Sequence, residues 1–200
     1  MKHDIVLAGV GGQGILSIAT ILGAAALKEG LHLKQAEVHG MSQRGGDVQS
    51  NLRLSSDAIA SDLIPLGGAD LIISLEPMEA LRYLPYLSKE GWIVTNTTPF
   101  INIDNYPDMA DIEAELAAQG RVIAFDMDAL AKEVASARSS NMVLLGAASP
   151  MIEIDSEKIE DGIRSVFGAK GDKIVEANIA AYKAGREYAE RIIKEKKQTV

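Results

Sequence analysis

The strongest constraint on this chain is a glycine-rich turn set between a β-type run and a helical run near its start. Asp4-Ile-Val-Leu-Ala8 is short, rich in β-branched residues and closed by glycine, the pattern of a strand buried in a parallel sheet. Gly9-Val-Gly-Gly-Gln-Gly14 follows. From Ile15 to Glu29, residues Leu16, Ala19, Leu22, Ala26 and Leu27 recur at near-helical spacing, and Gly30 is placed to end the helix. Gly9, Gly11 and Gly14 match G-x-G-x-x-G, with Gly12 in addition. In a nucleotide-binding unit the first glycine makes the tight turn, the second lets backbone approach a phosphate, and the third lets the helix lie against the sheet. The helix N-terminus then presents unpaired N–H groups and a partial positive charge that suit an anion. The alternative is a strand–helix turn that binds nothing.

Neighbouring residues narrow the ligand. No Lys-Ser or Lys-Thr follows the glycines, which excludes a P-loop. A dinucleotide reader carries an acid near the end of its second strand to hold the ribose. Glu37 is the candidate, but it lies late and runs directly into further glycines.

The rest of the chain alternates strands and helices. Strands are expected at 33–38, 69–75, 91–95 and 122–125. Val48, Ser50, Leu52 and Leu54 alternate with polar residues and predict a half-exposed strand, possibly antiparallel. Helices are expected from Pro77 to about Leu87 and over 111–119, 129–137, 141–148, 156–167 and 173–196. The pattern implies an α/β fold, a mostly parallel, doubly wound, Rossmann-like sheet with helices on both faces and a helical C-terminus. The 200 residues fit one domain, with 156–196 as its C-terminal helical part. Gly168 to Gly171 reads as a tight turn between two helices.

Composition removes several functions. There is no cysteine, so no thiolate can hold an iron–sulfur cluster or zinc. His3, His32 and His39 are not spaced as a helix-borne metal pair, and no metal site is expected. The net charge of −8 argues against nucleic acid as a partner; the basic stretch at 191–197 reads as a solvated helix end. The apolar stretch from Ile5 to Leu27 is broken by four glycines and Gln13 in its first half, which reads as a buried strand–turn–helix and not a membrane span. A cytoplasmic location is the expectation.

The second unusual segment is Glu37-Val-His-Gly-Met-Ser-Gln-Arg-Gly-Gly46. His39 can donate or accept a proton near neutral pH, which makes it the one candidate catalytic group. Arg44 can hold a phosphate or carboxylate through two N–H bonds. Ser42 and Gln43 add neutral hydrogen bonds, and Gly40, Gly45 and Gly46 free the backbone around Met41. A glycine-rich hairpin with merely solvated polar groups is the other reading.

Together the two motifs resemble the gamma-type domain of the 2-oxoacid:ferredoxin oxidoreductases, and within that group the indolepyruvate-type beta subunits. Later echoes are Ala69-Asp-Leu-Ile-Ile-Ser-Leu-Glu-Pro77, Val94-Thr-Asn-Thr97 and Asn141-Met-Val-Leu-Leu-Gly146. The resemblance implies oxidative decarboxylation of a 2-oxoacid to an acyl-coenzyme A. It places thiamine diphosphate, Mg and iron–sulfur clusters on a large partner subunit, with ferredoxin as an indirect partner. It implies that this chain is inactive alone and associates with coenzyme A at a shared site. The candidate cofactor-binding residues are Gly9, Gly11, Gly12, Gln13, Gly14, Glu37, His39, Gly40, Met41, Ser42, Gln43, Arg44, Gly45, Gly46 and Asn96. The chain has no Gly-Asp-Gly with paired Asn of the kind a thiamine diphosphate site uses for magnesium. Taken on the glycine turn alone, a free-standing nicotinamide or flavin oxidoreductase and a non-catalytic binding module remain open.

Other residues carry two readings each. Glu76 and Glu79 either line the crevice beyond a strand or complement a helix start. Asn96, Thr97 and Thr98 either line the same crevice or cap a turn. Asn141 is placed as an N-cap, and Gly146, Ala147, Ala148 and Ser149 allow close packing. Met78 and Trp92 read as core, and Asp126 and Asp128 follow a strand, with a metal role as their lesser reading.

Overall fold

The computed structural model describes residues 1–39 and 45–198. The described residues form six strands and seven α-helices in one mixed sheet with helices on both faces. Strand β1 is Lys2–Val10, α1 Ile15–Lys28, β2 His32–His39, β3 Asp47–Ser55 and β4 Ala69–Ser74. Then come α2 Pro77–Arg82, β5 Leu87–Asn96, α3 Met109–Ala118, β6 Val122–Phe125 and α4 Met127–Val134. Three further helices follow, α5 Ser140–Ala148, α6 Ser156–Phe167 and α7 Asp172–Gln198.

The strand order is β2-β3-β1-β4-β5-β6. Pairings β1–β4, β4–β5 and β5–β6 are parallel, whereas β3 runs antiparallel to both β1 and β2. The alternation of β3 predicted a half-exposed strand. It is antiparallel, but it lies inside the sheet and is mostly buried. On its polar face Arg53 finds its partner in the protein and not in water. Arg53 of β3 forms a two-pronged ion pair with Asp4 of β1, Nε to Oδ1 at 2.7 Å and one terminal nitrogen to Oδ2 at 3.0 Å. A polar stripe along a strand marks solvent only when no neighbouring strand carries its complement.

Successive residues of β1 divide between two cores, as the pleat requires. Ile5 and Leu7 join a cluster with α1, α4, α5, α6 and α7. Val6 and Ala8 join a cluster with α2 and α3 on the opposite side. Residues Ile159, Ile163 and Tyr182 of the C-terminal helices share the first core with the sheet. Helix α5 is buried at every position, which suits its unbroken run of small and apolar residues. Met78 and Trp92 are partly buried against the cores. Between α6 and α7, Gly171 takes φ 95, a left-handed conformation that lets the chain reverse.

His3 stitches the N-terminus to the loop before α6. Its Nε2 accepts the Glu153 N–H at 3.1 Å, so the ring is neutral there. Burial lowers its pKa below 6.5, against the raising effects of Glu153 and Asp70. The neutral form is the one the fold favours. Its stabilising contribution is therefore complete above pH 6.5 and is lost as pH falls below that value. The melting temperature should fall between pH 7.5 and pH 5.5, and His3→Leu should flatten part of that dependence. Equal pH slopes in the two proteins would refute the assignment.

Candidate functional site

The site sits beyond the C-terminal edge of the parallel strands, where β1 and β4 lie side by side. The connection from β1 runs through α1 on one side of the sheet, and that from β4 through α2 on the other. Connections that diverge in this way open a crevice between the two strand ends, the usual ligand position in open α/β sheets.

Gln13 closes the floor of this crevice. Its Oε1 accepts the Val10 N–H at 2.7 Å, and its Nε2 donates to the Leu75 carbonyl at 3.3 Å. A side chain expected to meet a ligand thus first fastens the turn to β4. A Cβ on Gly9 would lie 3.0 Å from Gln13 Oε1 and would press on the side chain that holds the turn. Gly12 (φ 104) and Gly14 (φ 82) hold left-handed backbone, and a Cβ on Gly14 would meet Asn141 Nδ2 at 3.0 Å.

Gly11 is tied by backbone hydrogen bonds to the end of the β2–β3 connection. Its N–H donates to the Gly46 carbonyl at 2.8 Å, and Gly45 N–H donates to the Gly11 carbonyl. The β1–β3 pairing continues past Val10 into these glycines. The insertion of β3 is the cause. It also moves Glu37 away from the turn: Glu37 pairs with Ser50, which pairs with Leu7. Glu37 therefore sits two strands from β1, about 10 Å away. It is exposed and accepts from Gln35 Nε2 at 2.7 Å.

The anion-binding potential of α1 is intact. Its N-cap is Gly14, with no side-chain cap, and its first turn has no acidic residue. The adjoining cleft of about 380 Å³ is lined by Gly12, Gln13, Leu75, Asn96, Phe100, Asp128, Arg138, Ser140 and Asn141, among others. Arg138 is exposed and makes no ion pair among the described residues. Asp128 is committed: it accepts from Asn96 Nδ2 at 3.1 Å on one oxygen and from the Ser140 hydroxyl on the other. Asn141 is not the N-cap of α5, which is Ser139; its Nδ2 reaches across to the Gly14 carbonyl at 3.3 Å.

Asn96 lines the cleft and also holds it together. Its Oδ1 accepts the Met127 and Thr98 N–H groups at 3.0 and 3.3 Å. Asp126 caps α4 through Ala129 N–H and accepts from the Thr98 hydroxyl. Among the described residues no group of three His, Asp or Glu is placed to hold a metal ion.

Glu76 proves to be a helix-start carboxylate. It is fully buried and caps α2, with Oε2 accepting Glu79 N–H at 2.8 Å. Its Oε1 accepts from Phe100 N–H and the Tyr106 hydroxyl. Burial and this carboxylate both raise the pKa of Tyr106. Glu79 pairs with Arg82 through both oxygens. The segment between β5 and α3 is thereby latched to α2, and Asn102 Nδ2 fastens it to the Gly45 carbonyl at 2.6 Å.

The structure thus brings together Gly9, Gly11, Gly12, Gln13, Gly14, Gly45, Gly46 and Asn96. Gly40, Met41, Ser42, Gln43 and Arg44, and the side chain of His39, lie outside the described residues. Sequence reasoning missed Arg138, Phe100 and Ser140. No local signal marks them, because they reach the cleft from a loop and a helix far along the chain.

The fold and site define a doubly wound α/β protein with a cleft at the ends of its central strands. Residues 4–188 match the model of the family described as pyruvate ferredoxin/flavodoxin oxidoreductase. The chain belongs to that family. It is 38% identical, over 96% of its length and 98% of the relative's, to indolepyruvate oxidoreductase subunit IorB of Pyrococcus horikoshii. It is 28% identical over 94% of its length to ketoisovalerate oxidoreductase subunit VorA of Methanothermobacter marburgensis, where the match spans only 36% of the relative. Among solved structures, it resembles 2-oxoglutarate:ferredoxin oxidoreductase from Magnetococcus marinus with 2-oxoglutarate, coenzyme A and succinyl-CoA bound. The TM-score is 0.74 and the identity 23%, over 95% of this chain and about a third (31%) of that one. No helix among the described residues is long and apolar enough to cross a membrane.

Proposed function

We propose that this chain is the small, gamma-type subunit of an indolepyruvate-class 2-oxoacid:ferredoxin oxidoreductase, and that its cleft holds the phosphate-bearing part of coenzyme A. The observation that supports the site is that Gly12 and Gln13, just before the uncapped, acid-free N-terminus of α1, line the same cleft as the unpaired Arg138. Two independent sources of positive potential converge there, and both suit a phosphate. The near full-length likeness to an indolepyruvate oxidoreductase subunit supports the enzyme class. The coenzyme A in the related 2-oxoglutarate enzyme supports the ligand.

The division of labour is the one the family resemblance implies, and the residues are consistent with it. With no cysteine, this chain has no thiolates for iron–sulfur clusters. Thiamine diphosphate with its Mg, and the clusters that pass electrons to ferredoxin, belong to the large partner, which supplies the decarboxylation and electron transfer. The small subunit binds and orients the acyl acceptor in the cytoplasm. His39, Arg44 and the residues between them are further candidate contacts to coenzyme A on the resemblance of their motif alone.

In the assembled enzyme, Arg138→Ala should raise KM for coenzyme A about tenfold. That is the equivalent of one charge-assisted hydrogen bond of about 1.5 kcal/mol. The melting temperature and KM for the 2-oxoacid should hold. An unchanged KM for coenzyme A would remove Arg138 from the site. Full coenzyme A-dependent activity from the large subunit alone would sink the proposal as a whole.

A further inference from the structure

The chain has three phenylalanines, Phe100, Phe125 and Phe167. Two are spent on the fold. Phe125 is buried and stacks on Tyr188, and Phe167 packs against the first core with Lys170 over its ring. Phe100 belongs to neither core and is 42% exposed. It lines the same cleft as Gly12, Gln13 and Arg138, and among the described residues it is the one aromatic group there.

A lone exposed apolar side chain needs no explanation. The way this one is held does. Phe100 N–H donates to Glu76 Oε1 at 3.4 Å, and the Tyr106 hydroxyl donates to the same oxygen. On one side of it Thr98 is fixed to Asn96 and Asp126. On the other, Asn102 donates to the Gly45 carbonyl, and Gly45 N–H donates to Gly11 of the glycine turn. Glu76 itself is fully buried and makes no ion pair among the described residues. Burying an unpaired carboxylate is costly unless hydrogen bonds satisfy it. Glu76 spends its hydrogen bonds on the start of α2 and on this segment. Position 100 is therefore fixed relative to the strand ends before any ligand arrives.

We infer that Phe100 is the surface on which the adenine of coenzyme A stacks, an inference that rests on the function proposed above. The cleft then takes the nucleotide end of the coenzyme and leaves the thiol end outside. The base has a π-face to lay on an aromatic ring, and the pantetheine arm has none. The neighbouring groups also suit a nucleotide. Arg138 offers a planar fork to a phosphate. Asn141 is only 9% exposed and uses its Nδ2 on the Gly14 carbonyl. Among the described residues its Oδ1 accepts nothing, which keeps an acceptor for an exocyclic amine or a ribose hydroxyl. Glu76 is a positioning residue in this arrangement, acting on the ligand through Phe100. A thiol left outside can receive an acyl group made on the partner subunit.

The test uses the assembled enzyme with coenzyme A, with adenosine bisphosphate as its nucleotide end, and with phosphopantetheine as its other end. In Phe100→Ala, KM for coenzyme A and the inhibition constant of adenosine bisphosphate should each rise about tenfold. The inhibition constant of phosphopantetheine and kcat at saturating coenzyme A should hold. Phe100→Tyr keeps the ring and should behave as wild type. So should Ile101→Ala, which lies on the same segment but does not line the cleft. All three positions tested are exposed, so melting temperatures should stay within about 2 °C. Equal weakening of phosphopantetheine in Phe100→Ala overturns the inference, as does a wild-type enzyme that adenosine bisphosphate does not inhibit. Loss in Phe100→Tyr or Ile101→Ala as large as in Phe100→Ala overturns it too. An unchanged KM in Phe100→Ala, with a raised KM in Arg138→Ala, removes the stacking role alone. An unchanged KM in both variants strikes the proposed coenzyme A site as well.

Discussion

Gly146→Ala should cost about 3 kcal/mol or more and lower the melting temperature by about 10 °C. A Cβ on Gly146 would lie 1.9 Å from the Tyr182 carbonyl oxygen, and one on Gly185 would lie 2.0 Å from the Val143 carbonyl oxygen. Helices α5 and α7 thus meet backbone to backbone, each glycine facing the other helix. The obstruction is main chain, so no rotamer change relieves it; the helices must part. Parting them opens gaps around Tyr182, which is fully buried with its hydroxyl on Ser156. The effect reaches the site, because the first turn of α5 carries Ser140 and Asn141 of the cleft wall. Any folded Gly146→Ala protein should bind coenzyme A more weakly in the assembled enzyme. Gly120→Ala, where a Cβ meets nothing within 4 Å, serves as the control and should change stability by less than about 0.5 kcal/mol. A thermal melt of Gly146→Ala within 2 °C of wild type would refute the close crossing.

Arg53→Ala should be nearly as damaging, at about 3–5 kcal/mol, for a different reason. The Asp4 side chain is 1% exposed and receives Arg53 on both oxygens, with Lys2 Nζ at 2.8 Å on one. Burial pushes this carboxyl up, but the hydrogen bonds from Arg53 and Lys2 outweigh it and hold the pKa below 3.8. Its contribution to stability is therefore present above pH 3.8 and lost as pH falls. Without Arg53, burial acts against little more than the exposed Lys2. The carboxyl should then rise, and the stability gap between variant and wild type should narrow as pH drops from 7 to 4. Arg53 also holds the Ser61 and Leu63 carbonyls, so the variant should loosen that segment. A double replacement, Asp4→Leu with Arg53→Met, should recover most of the loss, since removing both charges leaves nothing buried and unpaired. Equal instability of the single and double variants, with no pH convergence, would show that the pair is not the cause.

The two predictions mark where local reading of the chain stops. Arg53 stood in a polar alternation that looked solvent-facing, because the partner that buries it lies 49 residues away in β1. Gly146 was legible as a residue allowing close packing. Which backbone it admits is decided by α7, and no property of residues 141–149 names α7. The same holds at the site. The turn Gly9–Gly14 and its flanking strand and helix are local objects, set by glycine conformations and apolar spacing within about thirty residues. Helix 156–167 and strand 122–125 were likewise legible to the residue, each having a clean periodicity and a polar or glycine boundary.

Local chemistry could not assign the turn its present contacts. By itself the sequence determined an α/β chain with a phosphate-receptive strand–turn–helix, no thiolate chemistry, and two motifs shared with the oxidoreductase family. Only the tertiary structure decided that β3 enters antiparallel between β1 and β2. That one placement couples Gly11 to Gly45 and Gly46 and sets Glu37 two strands away. Strand order is chosen by the burial of side chains far apart in sequence, where spacing and propensity carry no information. The glycine turn is written in the chain, and what it faces is a property of the sheet.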